Sequence, residues 1–471
     1  MKYVSTRGNM TPKSFNEILL AGLAPDGGLY MPISYPQISY GNLNCWRELS
    51  YAELAYEIFS LFVDEDIDRI ALFDLVSSVY TPETFGSSDI TPVRRLGNSD
   101  VWIQNLSGGP TAAFKDVGLL MLGAFFENVL GERDENLNIL GATSGDTGSA
   151  ANQAMLGRAN IKVFMLSPKG RMTPFQEAQM WAVDNPNIHN LVIDGTFDQA
   201  QNIVKTVSAN ADFKKRYSIG AVNSINWARI MSQVVYYFYG YLKVTKESDE
   251  LVNFSVPSGN FGNMCAGWIA RKMGLPIKHL VVATNENDVL DEFFKTGRYR
   301  PRKPEETSIT SSPSMDISQA SNFERFIWDI LGRNFDDVLK LFKDDLGSVG
   351  QFVLEPEVMS RIRAQSGILS GSSDHASRLW TIALVHSTHN TTIDPHTADA
   401  LSVLWELDVS GPTIVLETAL PVKFDGIMQE ALGLLPPRPK RFIGIEELPR
   451  KFELIEPEAE LVMDYIRRHT D

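Results

Sequence analysis

The sequence predicts an α/β fold with a mostly parallel sheet, and three observations carry that expectation. From about residue 96 to 285, short β-rich runs alternate with stretches of helical periodicity, the pattern of strand–helix–strand units. Turns rich in glycine and hydroxyl side chains follow several of those runs, where strand gives way to helix. At 471 residues the chain is also too long for one compact core, so two or three domains are expected.

Residues 1–95 read as a separate N-terminal unit. Lys2 to Arg7 is strand-like and Ser14 to Ala21 helix-like. The turn Ala24-Pro25-Asp26-Gly27-Gly28 leads into Leu29-Tyr30-Met31-Pro32. Apolar residues recur at helical spacing from Tyr51 to Phe62 and from Ile67 to Val79. The α/β region of residues 96–430 then offers strands at Val101–Asn105, Leu137–Leu140, Ile161–Leu166, Asn190–Ile193, Phe254–Val256 and His279–Ala283, with a late one at Thr413–Leu416. Helices between them are expected to open near Ser144, Pro174, Asp198, Trp227 and Asn263. Thr296 to Pro313 is rich in Arg, Lys, Pro, Ser and Thr and reads as a long loop or linker. Residues 431–471 read as a C-terminal helical segment.

Composition narrows the chemistry. With 44% hydrophobic and 21% charged residues the chain has the mix of an ordinary globular protein. A net charge of −15 argues against nucleic acid or a membrane surface as partner, because phosphate-rich surfaces are bound by concentrated Lys and Arg. Two cysteines, Cys45 and Cys265, make neither a disulfide scaffold nor a cysteine-based zinc cluster, and no metal site is expected. Met1 to Ser14 lacks an apolar secretory core, and no apolar run approaches the roughly 20 residues of a membrane span. The expectation is a soluble, cytoplasmic protein.

Four constellations carry chemistry. In Gly108-Gly109-Pro110-Thr111-Ala112-Ala113-Phe114-Lys115-Asp116 a tight turn after a strand presents a lysine at a helix start, where ligands of open α/β sheets bind. The neighbouring Ala112, Ala113 and Phe114 are expected to lower the pKa of that amine and favour imine formation. Thr143-Ser144-Gly145-Asp146-Thr147-Gly148-Ser149 opens a helix with small and hydroxyl residues, so that backbone N–H groups and the positive helix end meet an anion. Ser258-Gly259-Asn260-Phe261-Gly262-Asn263 lets the backbone curl around a phosphate, in neither the Walker A nor the Rossmann pattern. In Glu417-Thr418-Ala419-Leu420-Pro421-Val422-Lys423-Phe424, Thr418 is placed to meet a ring nitrogen. Taken singly, each has an ordinary reading as a surface lysine, an N-cap or a turn.

In this order the motifs resemble the tryptophan-synthase-β-like, fold type II pyridoxal-phosphate enzymes. The chain is similar in particular to the threonine synthases of the longer, microbial and fungal kind. Tyr3-Val4-Ser5-Thr6-Arg7-Gly8, Leu23 to Tyr30, Asn223 to Arg229 and Ala283 to Asp288 carry the likeness across nearly the whole chain. The resemblance implies two open α/β lobes with mostly parallel sheets and an N-terminal extension, the small lobe spanning about 110–220. It implies pyridoxal 5'-phosphate held as an imine on Lys115, which also moves the Cα proton. It implies cofactor contacts from Gly259, Asn260, Phe261, Gly262, Asn263 and Thr418, and contacts to the substrate's amino-acid end from Ser144, Asp146 and Thr147. The implied substrate is O-phospho-L-homoserine, converted with water to L-threonine and phosphate by a monomer or homodimer. Lys169, Arg171, Asn226 and Arg229 are candidates for the leaving phosphate. Many relatives carry His where this chain has Leu420 and Ala where it has Val422. Two other readings remain open from the sequence: a threonine or serine dehydratase of the same fold, and a non-catalytic binding homologue.

Overall fold

Backbone pairing follows the expected period, strand by strand, but gathers the strands into two separate sheets. The computed structural model describes every residue except Asn9, Ser144, Arg171 and Asp471, together with the side chain of Asp64. The chain divides into two compact units. One comprises Met1–Gly108 and Ser224–Pro436, the other Gly109–Asn223 and Pro437–Asp471.

The first unit is built on a six-stranded sheet in the order Ile368–Ser372, Ile277–Thr284, Val252–Pro257, Thr413–Glu417, Val101–Asn105, Val93–Arg95. All neighbours run parallel except the last pair. One face buries Ile103, Val281 and Val415 against Ile382, Val385, Leu401 and Leu404 of the helices His375–His389 and Pro395–Glu406. Helix Trp227–Val244 is buried along almost its whole length, as its predominantly apolar and aromatic sequence requires. It packs along helix Gly262–Lys272. Every strand running parallel to Val252–Pro257 ends on the same edge of the sheet, and that edge carries the loops after Asn105, Pro257 and Glu417.

The N-terminal residues belong to this unit. Strands Tyr3–Ser5 and Tyr30–Pro32 pair antiparallel, and helix Phe15–Ala21 opens with a capping box between Ser14 and Glu17. Tyr3 packs on Trp227 at 5.7 Å between ring centroids and donates its hydroxyl to Phe62 O at 2.7 Å. Glu324, buried, accepts from Thr6 Oγ1 at 2.5 Å and from both Nε and Nη2 of Arg7, at 3.0 and 2.7 Å. Glu324→Ala leaves Arg7 and Thr6 without their acceptor, and a loss of about 2 kcal/mol is expected. Thermal unfolding against the wild type checks it.

The segment read as a loop or linker between Thr296 and Pro313 is a loop held in place. Arg298–Tyr299 pairs with Phe352–Val353. Beyond it the Asp316 carboxylate accepts from Thr310 N, Thr310 Oγ1, Asn285 Nδ2 and Asn287 Nδ2, at 2.6 to 3.1 Å. One half-buried carboxylate thus organises polar residues far apart in sequence, which no local pattern announces.

The second unit holds a five-stranded, wholly parallel sheet in the order Glu453–Ile455, Ile188–Ile193, Ile161–Pro168, Leu137–Ala142, Ile219–Gly220. Its core sets Leu140, Phe164, Leu166, Leu191 and Ile193 against Ile203, Val207, Val462 and Ile466 of helices Phe197–Ala209 and Ala459–Thr470. No helix among the described residues is long and apolar enough to cross a membrane.

Candidate active site

In the second unit, Lys115 is the first residue of helix Lys115–Arg133. The turn before it is built from within. Asp116, fully buried, accepts from Thr111 N at 2.8 Å and from Thr111 Oγ1 at 2.6 Å, while Gln179 Nε2 donates to Thr111 O at 2.9 Å. Gly109 is required at its place, because a Cβ there would lie 2.5 Å from Asp116 Cβ. Ala112 takes a left-handed φ of 57°, a strained backbone at the approach to the lysine. Ala112 and Ala113 are buried, Lys115 is half-buried, and its Nζ lies 5.9 Å from the centroid of the Phe114 ring.

The hydroxyl-rich loop of the same unit is organised by Thr143, whose Oγ1 accepts from Gly145 N at 3.1 Å and Gly148 N at 2.9 Å. Asp146 is the first residue of helix Asp146–Met155, buried, and accepts from Gln176 Nε2 at 3.1 Å; the positive helix end favours its carboxylate. Thr147 is half-buried beside it. Lys169 follows the strand Ile161–Pro168 and is exposed. Ser144 and Arg171 lie outside the described residues.

In the first unit, Ser258–Asn263 follows strand Val252–Pro257 and opens helix Gly262–Lys272. Asn260 Oδ1 accepts from Gly262 N at 2.9 Å, closing the turn, and Asn260 O accepts from Asn322 N at 3.0 Å. Phe261 sits at φ 64°, and its buried ring, packed 5.3 Å from Phe323 and 5.5 Å from Phe326, anchors that conformation. A Cβ on Gly259 would come within 3.0 Å of Ile317. Asn263 Oδ1 accepts from both Tyr236 and Tyr237, while its Nδ2 is buried without a partner.

Thr418 continues the adjacent parallel strand Thr413–Glu417 and is buried, its Oγ1 without a partner. Its neighbour Glu417 is fixed by Arg94 through two bonds of 3.1 and 2.6 Å. Burial raises the Glu417 pKa and the Arg94 charge opposes that rise. His396, also buried, donates from Nδ1 to Asp394 Oδ1 at 2.7 Å and accepts the Ser314 N–H on Nε2 at 3.1 Å. It thereby ties the loop that carries Asp316 and Ile317 to helix Pro395–Glu406. None of Arg94, His396, Asp316 or Ile317 was singled out by sequence, and only their long-range partners reveal them.

Asn226 and Arg229 start helix Trp227–Val244. Asn226 caps it, accepting from Ala228 N at 3.0 Å and donating to Leu19 O at 2.9 Å, so its amide serves the fold. Arg229 differs. It is 6% exposed, its Nε and Nη1 are buried without a hydrogen-bond partner, and burial lowers its pKa to about 10. The guanidinium therefore stays charged at neutral pH. The next residue, Ile230, reaches within 3.7 Å of where a Cβ on Gly262 would stand.

The parallel sheets, the lysine at its helix start and the loops at strand ends define a fold type II pyridoxal-phosphate-dependent enzyme, and comparison with known proteins agrees. Residues 85–346 match the family described as pyridoxal-phosphate dependent enzyme, residues 2–80 the threonine synthase N terminus, and residues 397–466 the threonine synthase C-terminal family. The chain is 53% identical to a threonine synthase of Corynebacterium glutamicum, over 99% of this chain and 98% of that protein. It is 40% identical to one of Schizosaccharomyces pombe, over 92% and 90%. The crystal structure of a pyridoxal-phosphate-bound threonine synthase from Brucella melitensis superposes with a TM-score of 0.96 at 39% identity, covering 100% of this chain and 99% of that one. The chain belongs to the threonine synthase family. The match over residues 2–80, with full-length identity to proteins named threonine synthase, favours that family over the dehydratase and non-catalytic readings.

The residues present fit the cofactor. A buried Asn263 Nδ2 at a helix start and a buried Thr418 Oγ1 at the next strand end both lack partners, and a phosphate and a pyridine nitrogen would supply them.

Proposed function

We propose that the chain converts O-phospho-L-homoserine and water into L-threonine and phosphate, in the cytoplasm and as a monomer or homodimer. One observation carries the substrate's charge: a buried arginine, Arg229, keeps two donor nitrogens unpartnered. A buried cation without a carboxylate is costly unless a ligand completes it, and a phosphate ester does so with charge-assisted bonds.

When bound, pyridoxal phosphate supplies the electron sink that makes Cα and Cβ of the amino acid acidic and lets the γ-phosphate leave. Lys115 would hold it covalently and would take and return the Cα proton. Gly259, Asn260, Phe261, Gly262 and Asn263 would receive its phosphate. Thr418 would offer its ring nitrogen a neutral hydroxyl rather than a carboxylate. Asp146 and Thr147, with Ser144, meet the amino-acid end of the substrate. Arg229 neutralises the leaving phosphate. Lys169 and Arg171 remain further candidates, whereas the engagement of the Asn226 amide weighs against a direct role for it. The place where many relatives carry His is Leu420, so no imidazole at that position assists a proton transfer.

The test is phosphate release from phosphohomoserine, with homoserine, serine and threonine as controls. Comparable turnover of homoserine would overturn the reading.

Gly259→Val is expected to strip most of the cofactor during gel filtration, because its side chain enters the space before Ile317 and displaces that loop. Crowding there should cost only about 1–2 kcal/mol of stability. Stoichiometric cofactor in the variant would place the phosphate elsewhere.

A further inference from the structure

We propose that Tyr236 and Tyr237 are positioning residues that lock the Asn263 side-chain amide with its oxygen inward and its NH2 group presented to the cofactor phosphate. This rests on the reading of Gly259 to Asn263 as the phosphate loop. The Tyr236 hydroxyl lies 2.7 Å from Asn263 Oδ1 and 3.1 Å from Gln233 Oε1. The Tyr237 hydroxyl lies 2.9 Å from the same Oδ1 and 2.9 Å from Asn263 O. Two phenols therefore converge on one amide oxygen. An amide carries its oxygen and nitrogen on opposite sides, so fixing the oxygen sends Nδ2 away from the tyrosines, where it is buried without a partner.

The surrounding packing serves this arrangement. Burial raises the pKa of both phenols well above the ordinary value, so they remain donors throughout the working pH range. Gly267, one turn beyond Asn263, leaves room for the Tyr237 ring, since a Cβ there would lie 2.7 Å from it. The same ring packs against Phe254, 4.8 Å between centroids. Gln233 Nε2 donates to Arg229 O at 2.9 Å, which leaves Gln233 Oε1 as the more distant of two acceptors beside the Tyr236 hydroxyl, whose single proton goes to the nearer Asn263 Oδ1. An amide released from both hydroxyls can rotate and turn its oxygen toward the phosphate, replacing attraction by repulsion.

The experiment compares Tyr236→Phe, Tyr237→Phe, the double variant and Asn263→Ala, starting from the holoenzyme. Each is stripped and titrated with pyridoxal phosphate and with pyridoxal, which lacks the phosphate. The double variant is expected to bind pyridoxal phosphate about tenfold or more weakly, as loss of a bond to a charged group implies. Its affinity for pyridoxal should change less than about twofold. Adding the tyrosine changes to Asn263→Ala should cause no further loss, because both act on one contact. Equal losses for the two ligands, additive losses, or wild-type affinity in the double variant would each overturn the proposal. If Asn263→Ala alone keeps full affinity, the phosphate-loop reading itself fails. The single variants, each expected to show a smaller loss confined to pyridoxal phosphate, carry the same comparison should the double variant not fold.

Discussion

Lys115→Ala is expected to fold normally and to lose turnover by at least about a thousandfold. Two functions vanish together, the covalent attachment and the movement of the Cα proton, and the second alone contributes about 10²–10⁴-fold in enzymes that use it. The fold has little at stake. Lys115 is half-buried at a helix start, and the turn before it is held by Asp116, Thr111 and Gln179, none of which changes. Stability should therefore stay within about 0.5 kcal/mol of wild type. Borohydride reduction of the wild type followed by peptide mass analysis should find the cofactor on Lys115. Wild-type phosphate release by the variant, or a label on another lysine, would remove Lys115 from the chemistry.

Arg229→Met should move function and stability in opposite directions. The guanidinium is buried and two of its donors meet nothing, so the ligand-free protein bears an uncompensated charge. A methionine of similar reach removes that cost, and a gain of about 1–2 kcal/mol in unfolding free energy is expected. If Arg229 binds the leaving phosphate, the same change forfeits about 2–3 kcal/mol of charge-assisted bonding. Phosphohomoserine turnover efficiency would then fall about 30- to 150-fold. Cofactor content should be unchanged. A loss of no more than about threefold would mean that the phosphate is held by other groups.

Much of this was legible in the sequence because strands and turns are local. Val252–Pro257 and Thr413–Glu417 announce themselves through runs rich in β-branched and apolar residues, and the glycines after the first mark where backbone must turn. Ile368–Ser372 escaped because its sequence, Ile-Leu-Ser-Gly-Ser, looks like a loop and becomes a strand only beside Ile277–Thr284. Glu453–Ile455 is a short edge strand among charged residues, held by Ile188–Ile193. The candidate site divided along the same line. Spacing could nominate Asn226 and Arg229 together, but only packing shows that the first is consumed by a cap while the second is left unpaired. The Arg94 clasp on Glu417 and the two phenols behind Asn263 join residues far apart in the chain, beyond the reach of periodicity.

The discontinuous make-up of the second unit bears on how the molecule is made. Its sheet needs Glu453–Ile455 to cover the edge of Ile188–Ile193, and helix Ala459–Thr470 to close its core over Phe197–Ala209. On the ribosome these pieces emerge only after the whole of Ser224–Pro436 has been synthesised. Until then the nascent chain carries a bare strand edge and an uncovered apolar face, the features that recruit chaperones and seed aggregation. Slow translation late in the message would lengthen that exposure, so the yield of native enzyme should be more sensitive to pausing there than near the beginning.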